Sequence, residues 1–216
     1  MENKFDIVVI GAGPGGYVAA IRASQLGFNT AVIEKAELGG VCLNWGCIPT
    51  KALLKSAQVY NYTKHLADYG VELRNADGSP VEADAVVSYA DIKKVVERER
   101  GVSAQMSKGI EFLFKKNNIT VLKGEAKILS GSAVEVKPAE GDAYTVEAKH
   151  IIVATGSRPN SLPFAPIDGE KIISYRQALV PETLPKSMAI IGSGAIGSEF
   201  TYFYRSMGVD VTLIEF

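Results

Sequence analysis

Cys42 and Cys47 are the only cysteines in 216 residues, and they stand close together in LGGVCLNWGCIPTK, Leu38 to Lys51. Two thiols at this spacing can close a small disulfide ring. By the loop-entropy estimate such a ring constrains the unfolded chain by only about 2 kcal/mol, so a structural staple is the weaker reading and a redox couple the better one. A zinc site needs about four Cys or His ligands, and His65 and His150 are the only histidines, in no paired spacing. Secreted scaffolds are cysteine-dense, and this chain is not. Two inert core thiols would be a fair reading of an arbitrary pair. Gly39, Gly40 and Gly46 crowd the same loop, however, and suit close backbone approach to a ligand. A working dithiol also needs a thiolate, and Lys51 offers a nearby cation.

The elements that must position these thiols begin upstream. Phe5 to Glu34, FDIVVIGAGPGGYVAAIRASQLGFNTAVIE, opens with an apolar run that reads as a buried parallel strand. Gly11-Ala12-Gly13-Pro14-Gly15-Gly16 follows. Tyr17 to Leu26 then reads as an amphipathic helix closed by Gly27, and Thr30 to Ile33 as a second strand ending in the acid Glu34. This is a complete dinucleotide-binding pattern. Gly11 permits the turn, Gly13 lets the backbone approach a pyrophosphate, and Gly16 allows close packing of helix on strand. The helix N-terminus presents N–H groups to phosphate, and Glu34 can accept hydrogen bonds from a ribose. The pattern returns 181 residues later without a gap: Gly11, Gly13, Gly16, Gly27 and Glu34 correspond to Gly192, Gly194, Gly197, Gly208 and Glu215. One glycine turn is weak evidence. Two strand-led copies, each ending in a glutamate at the same offset, point to two dinucleotides.

The whole-chain bounds are modest. A hydrophobic share of 47% is ample for a core, and a net charge of -1 points to neither nucleic acid nor an anionic membrane as partner. The longest apolar run, IVVIGAG, is far short of a membrane span. It follows charged residues and is interrupted by Gly11 and Pro14, which excludes a signal peptide. The expectation is a soluble cytoplasmic protein.

Between the two motifs, Thr50 to His65 is rich in helix formers, and Asp77-Gly78 signals a turn. Ser88 to Asn118 reads as a long helix with Gly101 and Gly109 as candidate breaks, and its charge run DIKKVVERER as a solvated face. Ile119 to Lys123, Ala126 to Leu129, Ala133 to Lys137 and Tyr144 to Ala148 read as a small antiparallel meander. His150 to Ala154 reads as a last apolar strand running into Thr155-Gly156-Ser157-Arg158-Pro159. The fold class is therefore α/β. A Rossmann-like domain over 1–160 holds a parallel sheet and the meander, and the start of a second such domain occupies 161–216.

An FAD-type fingerprint at the N-terminus, a C-x-x-x-x-C loop after its acid, an ATGSRP turn and a second dinucleotide motif together resemble the flavin disulfide reductases. GGVCLNWGCIPTK is most similar to the dihydrolipoamide dehydrogenases among them, the flavoproteins of 2-oxoacid dehydrogenase complexes. Mercuric and glutathione reductases carry similar loops, but Cys-Leu-Asn with Ile48-Pro49-Thr50 favours the lipoamide enzymes. Trp45 stands where a small apolar residue is common.

The resemblance implies a role for each matching residue. Cys42 would exchange with a dithiol substrate, Cys47 would lie beside the flavin, Lys51 would stabilise negative charge near the flavin N5, and Glu199 would pair with Lys51. FAD would be held by Gly11, Gly13, Pro14, Gly15, Gly16, Glu34, Lys35, Gly40, Val41, Cys42, Gly124 and Ala154, Thr155, Gly156 and Ser157. NAD would be held by Gly192, Ser193, Gly194, Ala195, Ile196 and Gly197, with Glu215 repelling the extra phosphate of NADP. Taken alone, Glu199 reads as a solvated helix residue and Gly124 as a turn glycine. The implied partners are dihydrolipoamide on a lipoyl domain and a second subunit in a homodimer, with no metal.

The sequence stops at Glu215-Phe216, directly after the second strand of the second motif. The later segments of the family, including the His-Glu base, have no counterpart in it, and neither His65 nor His150 matches that base. Two expectations follow: an NAD-dependent enzyme in the parent, and an FAD-binding fragment without turnover in this stretch alone, with an unpaired edge on the second sheet.

Overall fold

A computed structural model of the chain describes residues 3–81 and 87–216. The chain forms two compact units, Met1–Pro49 with Arg100–Pro166, and Thr50–Glu99 with Ile167–Phe216.

In the first unit, β1 (Lys4–Ile10), β2 (Thr30–Glu34) and β3 (Thr120–Lys123) run parallel in the order β3-β2-β1. Next to β1 lies β6 (Tyr144–Val153), followed by β5 (Ala133–Lys137) and β4 (Glu125–Ser130). Alternate residues on the strands divide the core between the two sheet faces, as the period of two requires. On one face Val8, Ile10, Ala31, Ile33 and Leu122 pack with Val134, Val136 and Val146 of β5 and β6. On the other, Val9 and Val32 pack with Ala20 of α1 (Pro14–Gln25), Leu43 of α2 (Gly40–Trp45), and Ile110 and Phe114 of α4 (Ile92–Lys116). The parallel strands are covered on both faces, which is why they read as unbroken apolar runs.

The structure corrects several expectations. Ile119 to Lys123 does not join the meander: β3 pairs parallel with β2, Ala31 opposite Thr120 through Glu34 opposite Lys123. Tyr144 to Ala148 and His150 to Ala154 are one strand. The first half of β6 pairs antiparallel with β5, and the half from Glu147 on pairs parallel with β1. The cysteine loop is helical, with α2 ending at Trp45 and α3 (Cys47–Lys64) starting two residues later. The long helix runs through Gly101 and Gly109 unbroken, because a single glycine costs only about 1 kcal/mol relative to alanine. Asp91 Oδ1 accepts from the Lys93 N–H and starts this helix, and Asn118, at φ 53, ends it in a left-handed conformation that asparagine tolerates. Its charge run is not wholly solvated, since Glu99 is fully buried.

In the second unit, β7 (Ser187–Ile191), α6 (Ala195–Ser206) and β8 (Asp210–Ile214) form a strand–helix–strand, with β7 and β8 paired in parallel. Helix α5 (Tyr175–Leu179) precedes it. Phe200, Phe203 and Tyr204 of α6 are buried, and the Tyr204 hydroxyl donates to the Ala178 carbonyl at 2.8 Å. The two halves of the sequence repeat have the same register: Ile7–Ile10 against Thr30–Ile33 becomes Met188–Ile191 against Val211–Ile214. The Asp77-Gly78 turn forms where expected, bounded by a bridge between Arg74 and Pro80. No helix among the described residues is long and apolar enough to cross a membrane.

Candidate functional site

The first glycine turn is built from short approaches that only hydrogen side chains permit. Gly11 has φ 100, and a Cβ on it would lie 2.3 Å from the Ala154 carbonyl oxygen. A Cβ on Gly16 would lie 1.8 Å from the Gly11 carbonyl oxygen. Both glycines therefore serve the turn itself. Gly13 and Gly15 differ. Their nearest neighbours to an added Cβ are Gly40 Cα at 3.8 Å and Ala154 Cβ at 3.9 Å, so both faces are otherwise open. Gly13 caps α1 and Pro14 opens the helix, while the Gly16 and Tyr17 N–H groups turn back to the Gly13 carbonyl, so the positive end of the helix faces the open side of Gly13. The turn leaves room for a phosphate group beside Gly13 and Gly15.

Other predicted residues gather around it. The Ala12 N–H donates to Glu34 Oε2 at 2.7 Å and the Ala36 N–H to Glu34 Oε1 at 2.8 Å, so this carboxylate braces the turn while keeping acceptor capacity for a ribose. Ala154, whose N–H donates to the Ile10 carbonyl, packs against Gly11 and Gly15, and Thr155, Gly156 and Ser157 continue from it exposed. Gly124 donates its N–H to the Glu34 carbonyl at 3.0 Å, and a Cβ there would meet the Lys137 carbonyl oxygen at 2.7 Å. Packing against β5 therefore requires glycine at that position. Lys35 pairs with Glu125 at 3.3 Å on the surface.

The cysteine segment sits on this turn. The Gly39 N–H donates to the Ala12 carbonyl at 2.9 Å, and a Cβ on Gly40 would lie 2.6 Å from Gly13 Cα. Gly40 thus serves backbone-to-backbone packing, while a Cβ on Gly39 would meet the Leu43 side chain at 2.6 Å. Val41 is exposed, Cys42 is half-buried on α2, and Cys47 is exposed at the start of α3. Gly46 breaks the chain between the helices, and a Cβ on it would lie 3.3 Å from Cys42 Cα, so the segment folds back on the first cysteine. Pro49 is tolerated in the first turn of α3, where its missing N–H would have no helical partner.

Sequence reasoning missed what holds α2 in place. The buried Asn44 side chain donates to the Leu38 and Gly40 carbonyls at 2.9 and 3.0 Å, and Ser107 of α4 lies 2.8 Å from Asn44 Oδ1. The Trp45 indole N–H donates to Glu37 at 3.4 Å, and the Arg100 guanidinium lies 4.5 Å from the centre of its ring. Trp45 is the only tryptophan, and its unusual place in the motif was the one available signal.

In the second unit, Lys51 and Glu199, 148 positions apart, form an ion pair. The second turn copies the first: Gly192 has φ 99, a Cβ on Gly197 would lie 1.8 Å from the Gly192 carbonyl oxygen, and Glu215 accepts from the Ser193 N–H. A hydrogen bond from the Ser193 side chain, with those from the Ser193 and Phe216 N–H groups, holds the Glu215 carboxyl below the ordinary carboxylate range. Gly194, Ala195 and Ile196 are exposed at the start of α6, and no atom approaches a Cβ on Gly194 within 4 Å.

Residues 5–216 match the model of the pyridine nucleotide-disulphide oxidoreductase family. The chain belongs to that family. It is 50% identical over 230 residues to a dihydrolipoyl dehydrogenase of Rhizobium etli, covering all of this chain and 45% of the relative. It is 46% identical to the mitochondrial dihydrolipoyl dehydrogenase of Pisum sativum, covering all of this chain and 41% of that protein. Among solved structures, LpdA of Mycobacterium tuberculosis superposes with a TM-score of 0.83 at 26% identity, over 99% of this chain and 44% of that one. The flavoprotein disulfide reductase RclA of Escherichia coli gives 0.80 at 25% identity, over 99% and 42%. The chain thus spans less than half the length of these relatives.

Proposed function

We propose that the protein oxidises dihydrolipoamide to lipoamide with NAD+, passing an electron pair through the Cys42–Cys47 couple and FAD. The observation that carries this reading is the seating of the cysteine helix on the first dinucleotide turn, Gly40 against Gly13 and the Gly39 N–H on the Ala12 carbonyl. It favours a dithiol that works next to a bound dinucleotide over one that serves as a staple.

In this reading the oxidised protein holds a Cys42–Cys47 disulfide. A substrate thiolate attacks Cys42, the sulfur–sulfur bond breaks, and Cys47 leaves as a thiolate. The second substrate sulfur then attacks the mixed disulfide, which closes the lipoamide ring and releases Cys42 as a thiol. Two electrons and one proton have passed to the protein, and the proton lost by the attacking substrate thiol has gone to solvent. FAD, when bound, would supply the two-electron acceptor that regenerates the disulfide and the reducing equivalents for NAD+. Gly13, Gly15 and the start of α1 would hold the FAD pyrophosphate, and Glu34 would accept from the ribose. Lys51, its charge balanced by Glu199, would stabilise negative charge on the flavin. Gly194, Ala195 and Ile196 hold the NAD pyrophosphate, and Glu215 disfavours a 2'-phosphate. The dithiol belongs to a lipoyl domain of a 2-oxoacid dehydrogenase complex, the working form is a homodimer, and the compartment is the cytoplasm.

The test is the visible spectrum of the protein purified with FAD, before and after a dithiol is added, together with turnover of dihydrolipoamide and NAD+. A flavin spectrum that gains a long-wavelength charge-transfer band, lost in Cys47→Ser, supports the reading. A protein that retains no flavin, or one that reduces glutathione disulfide or mercuric ion in preference to acting on dihydrolipoamide, overturns it.

A further inference from the structure

Helix α2 has six residues, far too few to persist alone in water. It carries Cys42 near its start, and the chain breaks at Gly46 before Cys47. The geometry between the two sulfurs therefore depends on what fixes the last turn of α2. Among the contacts that fix it are two that reach α4. Asn44 is tied to Ser107, and Trp45 packs its ring under the Arg100 guanidinium while its N–H reaches Glu37. Arg100 and Ser107 are seven residues apart, so they lie on the same face of α4 two turns apart. Trp45 is three residues after Cys42, on the same side of α2, and two before Cys47.

We propose that Trp45, held by Arg100 and Glu37, is a positioning residue for the Cys42–Cys47 couple: it keeps the last turn of α2 wound so that the two sulfurs can come together. This rests on the reading of the two cysteines as a redox couple. Closing the disulfide joins two sulfurs, releases two protons and gives two electrons to an external oxidant. A pair held in place closes against that oxidant at higher effective concentration than a pair on a frayed turn. Releasing Trp45 should make the bond harder to form without touching either sulfur.

The experiment is equilibration of the full chain in glutathione buffers, in which glutathione disulfide is reduced to two glutathione molecules as the protein bond closes. The oxidised fraction is read by mass after alkylation, with and without FAD. Arg100→Met and Trp45→Leu should lower the disulfide-forming constant about tenfold, equivalent to a rise of about 30 mV in the potential of the couple. Arg100→Lys, which keeps a cation over the ring, should return the constant toward that of the unmodified protein. Melting temperatures are recorded in parallel, because a merely structural role would lower them and leave the constant unchanged. Arg100→Met is the mildest change and is judged by itself if Trp45→Leu does not fold. A constant unchanged in the folded variants overturns the proposal. Failure of the unmodified protein to close the bond in any buffer overturns the redox-couple reading first, and the proposal with it.

Discussion

Gly13 and Gly16 lie three residues apart in one turn, and adding a methyl group to each should have opposite consequences. On Gly16 the new carbon would stand 1.8 Å from the Gly11 carbonyl oxygen. That oxygen belongs to backbone between β1 and α1 and cannot rotate away, so the helix must shift. Overpacking of this kind costs about 3 kcal/mol, the upper end of its usual range. In a chain of this size that lowers the melting temperature by about 6–12 °C. On Gly13 the backbone has φ -73 and ψ -176, which alanine adopts freely, and the nearest atom is 3.8 Å away. The entropy gained by replacing glycine and the weaker capping by alanine nearly cancel, so stability should stay within about 1 kcal/mol of the parent. The methyl would instead occupy the open face assigned to the pyrophosphate. Losing one charge-assisted hydrogen bond there costs about 2 kcal/mol, or about 30-fold in affinity. The assay is a pair of measurements on each variant, thermal unfolding without cofactor and FAD titration followed by flavin fluorescence. Parent-like FAD affinity in Gly13→Ala would refute the assignment of that face, and a parent-like melting temperature in Gly16→Ala would refute the packing argument.

Lys51→Met and Glu199→Gln each break a surface ion pair, which is worth at most about 1 kcal/mol. Melting should barely move, while turnover falls about 100-fold if the cation faces the reacting ring; equal losses of stability and turnover would contradict this. Asp6 bonds Lys149 and accepts from the Asn29 N–H, and these contacts hold its carboxyl below the ordinary aspartate range. A depressed value means that its contribution to stability is present above that range and is lost as pH falls through the folded value. Asp6→Asn should therefore flatten the acid arm of a melting-temperature profile, and an unchanged acid slope would count against it. Tyr204 is buried, its phenol is pushed above the ordinary tyrosine range, and its hydroxyl serves the Ala178 carbonyl. Tyr204→Phe should cost about 1 kcal/mol in urea unfolding, and no loss would show that the carbonyl finds another donor.

The motifs were legible because their chemistry is local. A glycine pattern, a proline at the first helical position and an acid after the second strand are all set within about 30 residues, and the same spacing 181 residues later produced the same strand register. The two cysteines could likewise be read as a redox pair from their spacing and their loop. What lay beyond the sequence depended on contacts between distant segments. Whether β3 pairs parallel or antiparallel cannot be told from an apolar run, since either partner buries the same side chains. Gly124 looked like a turn glycine, and only the approach of β5 shows why no side chain fits. The glycines beside the cysteines suggested room for a ligand, yet Gly40 is pressed against Gly13. The charge run of α4 looked solvated until Arg100 was found over the Trp45 ring and Glu99 buried. The sequence by itself determined the two dinucleotide turns and the dithiol, because turn and helix geometry are dictated by neighbouring residues. Only the tertiary structure decided how the dithiol is held, because that depends on side chains brought together across the fold by burial of the core.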